Sequence, residues 1–286
     1  MKIRENRQKT SLPTRIGWMV SALVLLFSGS FSANAVQSDW DGDPQIGEAR
    51  LVSAVSATGD LDTLPLGVEF MLASGWKIYW RTPGEAGLAP VIDLSASSTP
   101  DLTGTIKWPL PKRFDAFGFD NFGYENAVIL PFDVTGHEVG APVTVVAELE
   151  ALACADICVP LTGRLEMTLP DGDPDATPHA RPLARFAAMV PRRAEDGGIS
   201  ASGPSLRPER VESRNNGLFV SFGPDAPPIA EIFVEGQETV AFKAPEPVEG
   251  GFFMQAVPAD RLDFGAAPSV LTVSAPPQMA EILVTV

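Results

Sequence analysis

Val143-Thr144-Val145-Val146-Ala147-Glu148-Leu149-Glu150-Ala151-Leu152-Ala153-Cys154 alternates along its length. Val143, Val145, Ala147, Leu149 and Ala151 share one parity, and Thr144, Glu148 and Glu150 share the other. Successive side chains of a strand point to opposite faces, so a period of two means one face in a core and one toward water. The pattern recurs upstream. Leu66, Val68, Phe70 and Leu72 alternate with Gly67, Glu69 and Met71, and Trp76, Ile78 and Trp80 alternate with Lys77, Tyr79 and Arg81. Val128, Leu130, Phe132 and Val134 share one parity, as do Leu165, Met167 and Leu169. Short strands separated by turns suit a chain with 27 prolines and 25 glycines, and they predict an all-β architecture of antiparallel sandwiches. So many prolines also argue against long helices.

Asp171-Gly-Asp-Pro-Asp-Ala-Thr-Pro178 is a polar, proline-rich break that marks a domain boundary. It is followed by the one good helical pattern, with Leu183, Phe186, Ala187 and Val190 at helical spacing and Pro191 ending the run. Gly197 to Pro208 reads as a second loose segment. Asn216-Gly217 then signals a hairpin turn. Strands are predicted at Leu218–Phe222, Glu231–Val234, Val240–Phe242, Phe252–Val257, Val270–Ser274 and Ile282–Val286. The expected organisation is a leader over 1–35, a first sandwich over 36–172, a linker with a short helix over 173–200, and a second, smaller sandwich over 201–286.

The leader carries Lys2, Arg4, Arg7, Lys9 and Arg15, then an apolar run from Gly17 to Phe27, then Ala33-Asn34-Ala35. That order reads as a secretory signal peptide, with cleavage expected before Val36. The apolar run is shorter than the roughly 20 residues that span a bilayer. Removing the leader's five basic residues and Glu5 takes the net charge from −15 to −19. Such a chain repels nucleic acid and anionic lipid, which sets both aside as partners.

The sequence has no HExxH, no GxSxG and no glycine-rich phosphate loop. His137 and His179 are its only histidines, lack metal-ligand spacing, and read as surface residues. Chemistry therefore concentrates in Ala153-Cys154-Ala155-Asp156-Ile157-Cys158-Val159-Pro160. In an exported chain the two cysteines can form a disulfide. Three intervening residues close a very short loop, which restrains the unfolded chain little, so a redox pair is favoured over a structural staple. A Cu(I) clamp of soft thiolates is a third reading, although the seven methionines do not cluster. Cys154 has the parity of Glu148 and Glu150, which predicts a place on the wet face. No Lys, Arg or His adjoins the pair in sequence, and Asp156 would raise a thiol pKa.

Arg113 to Glu125 holds Phe114, Phe117, Phe119, Phe122 and Tyr124 among glycines and aspartates. It reads as a poor strand and a mobile loop, either filling the sandwich end or acting as a lid.

Gly75-Trp-Lys-Ile-Tyr-Trp-Arg-Thr-Pro-Gly84, Trp108-Pro109, Phe122-Gly-Tyr-Glu-Asn-Ala-Val-Ile-Leu-Pro131 and Cys154-Ala-Asp-Ile-Cys-Val-Pro160 together resemble the amino-terminal periplasmic domain of the DsbD/ScsB thiol:disulfide interchange proteins. The similarity runs from about residue 45 to 170 and is nearest the ScsB-like branch. The resemblance implies two immunoglobulin-like β-sandwich domains in series with a short connecting helix. It implies that Cys154 and Cys158 are the redox cysteines of a thiol:disulfide oxidoreductase without a cofactor. Counting back from Pro131 places the family's aromatic cap at Phe117, with Phe119 as second candidate. The DsbD branch spaces its cysteines more widely. The implied partners are a thioredoxin-like periplasmic protein and a membrane-embedded electron donor, expected as a separate polypeptide because the chain ends at Val286. The runner-up is a copper(I)-binding or structural adaptor module of the envelope.

Overall fold

The computed structural model describes residues 36–194, 205–214, 216–236, 239–261 and 268–286. The leader at 1–35 and residues 197–204 of the predicted loose segment lie outside them. Among the described residues no helix is long and apolar enough to cross a membrane.

Two sheets face each other in the first sandwich. One runs in the order β1 (Asp41–Asp43), β2 (Gly47–Ser53), β3 (Leu64–Leu72), β9 (Ala127–Thr135), β6 (Thr103–Ile106). The other runs β11 (Cys158–Leu169), β10 (Val143–Cys154), β4 (Lys77–Gly84), β8 (Phe119–Glu125), β7 (Lys112–Ala116), with β5 (Val91–Asp93) also pairing β10. All of these pairings are antiparallel. The alternating residues meet between the sheets. Leu66, Val68 and Phe70 of β3 pack with Ile78 and Trp80 of β4 and with the odd-numbered residues of β10, from Val143 to Ala153.

A short helix, α1 (Ala180–Ala187), covers the outer side of the first sheet, where Leu183 packs with Val52 and Ile129. Its apolar stripe selects that position. The segment leading into it is tied to the same sheet, since Val55 bridges Ala176 and the Thr177 hydroxyl donates to the Ser53 carbonyl.

The second sandwich follows. One sheet runs β12 (Arg192–Arg193), β20 (Gln278–Val284), β19 (Ser269–Ala275), β15 (Glu231–Glu235). The other runs β13 (Pro208–Arg214), β14 (Gly217–Phe222), β18 (Gly251–Val257), β16 (Ala241–Phe242), with β17 (Glu246–Val248) also on β18. Leu218, Val220, Ile232, Val234, Met254, Leu271 and Val273 form its core. The chain is all-β with two immunoglobulin-like sandwiches, and the described residues form one compact unit.

Three local expectations need correcting. The stretch from Arg113 to Glu125 is a hairpin, β7 paired to β8, and not a loop. Its glycines misled the reading: Gly123 sits where a Cβ would stand 2.0 Å from the Ile78 carbonyl oxygen, so a glycine there lets β8 lie close against β4. The hairpin near Asn216 turns one residue earlier than predicted, because Arg214 pairs with Gly217 and Gly217 is drawn into the sheet opposite Gln255. Strand β13 was hidden by its charged residues, which leave no clean alternation. The histidines are half-buried: His137 Nε2 lies 3.0 Å from the Leu61 carbonyl oxygen, and His179 Nε2 lies 2.6 Å from Gln37 Oε1.

Candidate functional site: the cysteine clasp and its cover

β10 and β11 form a long hairpin whose last register pair is Cys154 opposite Cys158. The two are joined by a disulfide, with their Cα atoms 4.1 Å apart. A three-residue turn, Ala155-Asp156-Ile157, closes the end, and the Ala155 N–H donates to the Ile157 carbonyl at 2.9 Å. The two sulfur-bearing residues sit in unlike environments. Cys154 is 1% exposed, whereas Cys158 is exposed and follows Ile157, itself 62% exposed.

The burial of Cys154 corrects the expectation of a wet face. The parity is as read: odd-numbered residues of β10 enter the core and Cys154 points the other way. That outer face is covered, however. Cys154 pairs in register with Lys77 of β4, and the next outward residue of β4 is Tyr79. Diagonal neighbours on one face of a sheet lie within reach of long side chains. The Tyr79 hydroxyl is 3.1 Å from the Cys154 sulfur, and Tyr79 is 2% exposed. Burial raises the Tyr79 pKa above that of an ordinary phenol, so the hydroxyl keeps its proton as a donor.

Two further pieces lie over Tyr79. The Phe114 ring of β7 packs on it at 5.9 Å, with the Lys77 ammonium 5.5 Å above Phe114. The loop after β4 crosses the tyrosine at Gly87, where a Cβ would stand 2.3 Å from the ring and φ is +111°. That loop is fixed by Asn121, fully buried, whose Oδ1 accepts from the Ala86 N–H at 3.0 Å. The Glu85 carboxylate accepts from the Asp120 N–H at 2.9 Å.

The aromatic residues between Arg113 and Glu125 therefore divide. Phe122 and Tyr124 are core, and the Tyr124 hydroxyl donates to the Pro109 carbonyl at 2.7 Å. Phe114 belongs to the cover. Phe117 stands at the hairpin tip, 59% exposed, with φ +59°, and Phe119 begins β8 at 44% exposed. Sequence reasoning missed Tyr79, Lys77 and Phe114 as neighbours of the pair. The alternation of Trp76 to Arg81 places Lys77 and Tyr79 on one face, but the register of β4 against β10 is set by contacts between strands 75 residues apart.

An exposed disulfide edge at the end of a hairpin, with one sulfur buried under a phenol, is the kind of site that thiol–disulfide exchange uses. Residues 47–170 match the family described as thiol:disulfide interchange protein DsbD, N-terminal. This segment of the chain is similar in sequence to the N-terminal domain of that thiol:disulfide interchange family. The fold extends further than that match. The crystal structure of the N-terminal periplasmic domain of ScsB from Proteus mirabilis aligns with a TM-score of 0.65 and 22% sequence identity, covering 88% of this chain and 98% of that one. No curated protein matches the chain by sequence.

Proposed function

We propose that the protein is an exported thiol–disulfide exchange protein of the periplasm that works through Cys154 and Cys158. The observation that carries this is the asymmetry of the pair: Cys158 is exposed, and Cys154 is buried against the Tyr79 hydroxyl. A donor thiolate attacks the Cys158 sulfur, a mixed disulfide forms, and Cys154 departs as a thiolate. The phenol stabilises that leaving group, because hydrogen bonds to ionised acceptors are the stronger ones. A second donor thiol then attacks the donor's own sulfur in the mixed disulfide and releases Cys158. Two electrons have moved to the pair. In the return step Cys158 attacks an oxidised thioredoxin-like partner and Cys154 resolves the intermediate. A membrane-embedded reductase is the proposed donor, by the family's chemistry. The leader motif and the periplasmic placement of the ScsB domain support export.

Trapping in cells tests this. Cys154→Ala leaves the attacking sulfur without its resolving partner, so it accumulates a mixed disulfide with a thioredoxin-like envelope protein. Cys158→Ala and the double variant trap none. Capture by Cys158→Ala alone reverses the roles, and capture by neither removes the exchange function. A pair that stays oxidised below about −300 mV is a structural staple. Tight stoichiometric Cu(I) binding by the reduced protein without exchange favours a metal-binding module. Mass spectrometry of the envelope fraction checks for a chain beginning near Val36.

A further inference from the structure

Three pieces of the first sandwich cover Cys154, and each is gripped by the second. β4 supplies Tyr79. Two residues further on, Arg81 pairs with Glu235 at 2.7 and 2.8 Å and with Glu281 at 2.7 Å, while the Thr82 hydroxyl donates to Glu235 at 2.6 Å. β7 supplies Phe114. The adjacent Arg113 pairs with Glu231 at 3.0 and 3.2 Å and donates to the Phe242 and Ile232 carbonyls at 3.3 Å each. The loop after β4 supplies Gly87. Its Glu85 is ion-paired with Lys243, whose ammonium also lies 3.7 Å from Asp120.

The gripping strand shows how the second sandwich is built for this. β15 reads Glu231-Ile232-Phe233-Val234-Glu235. Its period of two sends Ile232 and Val234 into the second core and presents Glu231, Phe233 and Glu235 to the first sandwich. Phe233, 1% exposed, joins the first core 4.9 Å from Phe122 and 5.6 Å from Trp80. Two arginine–carboxylate forks flank that ring. Bidentate pairs of this type fix geometry as well as adding energy.

We propose that Glu231, Phe233, Glu235 and Lys243 are positioning residues for the cysteine site: by anchoring Arg113, Arg81 and Glu85 they hold Phe114, Tyr79 and the Gly87 loop over Cys154, and so set how readily that sulfur is reached. The functional meaning rests on Cys154 and Cys158 being the exchange pair. The mechanical coupling does not, because thiol reactivity reads it without a partner.

The test uses the full chain with Cys158→Ser, which leaves the Cys154 thiol alone, and follows its alkylation by iodoacetamide in the folded protein. Glu235→Gln and Lys243→Met each raise the rate about tenfold, the effect of removing one charge-assisted contact from a local opening equilibrium. Lys243→Arg restores the parent rate. Lys107→Met, which breaks a pair with Asp133 on the other sheet of the first sandwich, leaves it unchanged. Clamp variants that alkylate at the parent rate, or a control that rises with them, overturn the proposal. If Glu235→Gln fails to fold, Lys243→Met decides, since Lys243 is partly exposed. Failure of the exchange function shows differently, as loss of mixed-disulfide capture with the clamp dependence intact.

Discussion

The Tyr79 hydroxyl meets the Cys154 sulfur at 3.1 Å on a sheet face that strand alternation alone assigns to water. In the proposed exchange, the contact selects Cys154 as the sulfur that is stable as a thiolate once the disulfide opens. Because burial raises the Tyr79 pKa, the phenol remains a proton donor through neutral and mildly alkaline pH. Tyr79→Phe removes the donor and keeps the ring. In a Cys158→Ser background we expect the Cys154 pKa to rise by about one unit or more, since a hydrogen bond to a charged group contributes ~1.5–3 kcal/mol and one unit is ~1.4 kcal/mol. The intact pair should also become harder to reduce, because its reduced form loses stabilisation. Titration of the thiolate's ultraviolet absorbance reads the first effect and glutathione equilibration the second. An unchanged thiol pKa would mean that the hydroxyl does nothing for the leaving group.

Gly87 makes the cover possible. Any larger residue puts a Cβ 2.3 Å from the Tyr79 ring, at a φ of +111° that side chains resist. Gly87→Ala should lower stability by about 1–3 kcal/mol through that strain and overlap. It should also speed alkylation of Cys154, because the loop must lift to relieve the clash. Urea unfolding and alkylation kinetics measure the two. A variant as stable as the parent would show that the loop does not rest on Tyr79.

Much of the architecture was legible because burial imposes a period of two. Val143 to Ala153 and Leu66 to Leu72 alternate cleanly, and they form β10 and β3. Reading failed where both faces of a strand are buried. Ile78, Tyr79 and Trp80 are all below 3% exposed, so the polar parity of β4 is itself packed, and its partner Cys154 with it. It failed again where a glycine serves a close approach and not a turn, as at Gly123 in β8. The cysteine pair stands out in the sequence by its spacing and by family likeness. The residues that cover Cys154 do not, because Tyr79, Phe114 and Gly87 converge through strand register and loop packing, neither of which a local pattern encodes.

His179 gives the fold an acid-sensitive point. Burial, with help from the nearby Arg50 charge, lowers its pKa below the ordinary value, while Glu69 opposes the shift. The folded state therefore resists protonation that the unfolded chain accepts. Stability from this group is full above the unfolded pKa of about 6.5 and falls as pH drops from there toward the lowered folded value. His179→Gln cannot take up the proton and can still donate to Gln37 Oε1, the present partner at 2.6 Å. We expect the urea midpoint of the parent to drop more between about pH 7.5 and about pH 5.5 than that of the variant, in the window where histidine titrates. Identical slopes would show that His179 protonates equally in both states.

Phe117 is the remaining test of the lid. It sits at the tip of the β7–β8 hairpin, 59% exposed at φ +59°, and it follows the strand that carries Phe114 over Tyr79. So exposed a ring contributes little to the core, and Phe117→Ala should change stability by no more than about 0.5 kcal/mol. Phe122→Ala, which empties a site 1% exposed, should cost about 3–5 kcal/mol. If Phe117 shields the cysteines, its loss raises the alkylation rate of the reduced pair while thermal unfolding stays where it was. Phe119→Ala is the matched comparison: that ring, 44% exposed, borders a cleft of about 800 Å3 together with Arg81, Phe122 and Val240. A faster reaction in Phe119→Ala alone would move the lid to Phe119. Unchanged alkylation in both would assign the shielding of the pair to Tyr79, Phe114 and the Gly87 loop, and would leave the hairpin tip free to meet a partner.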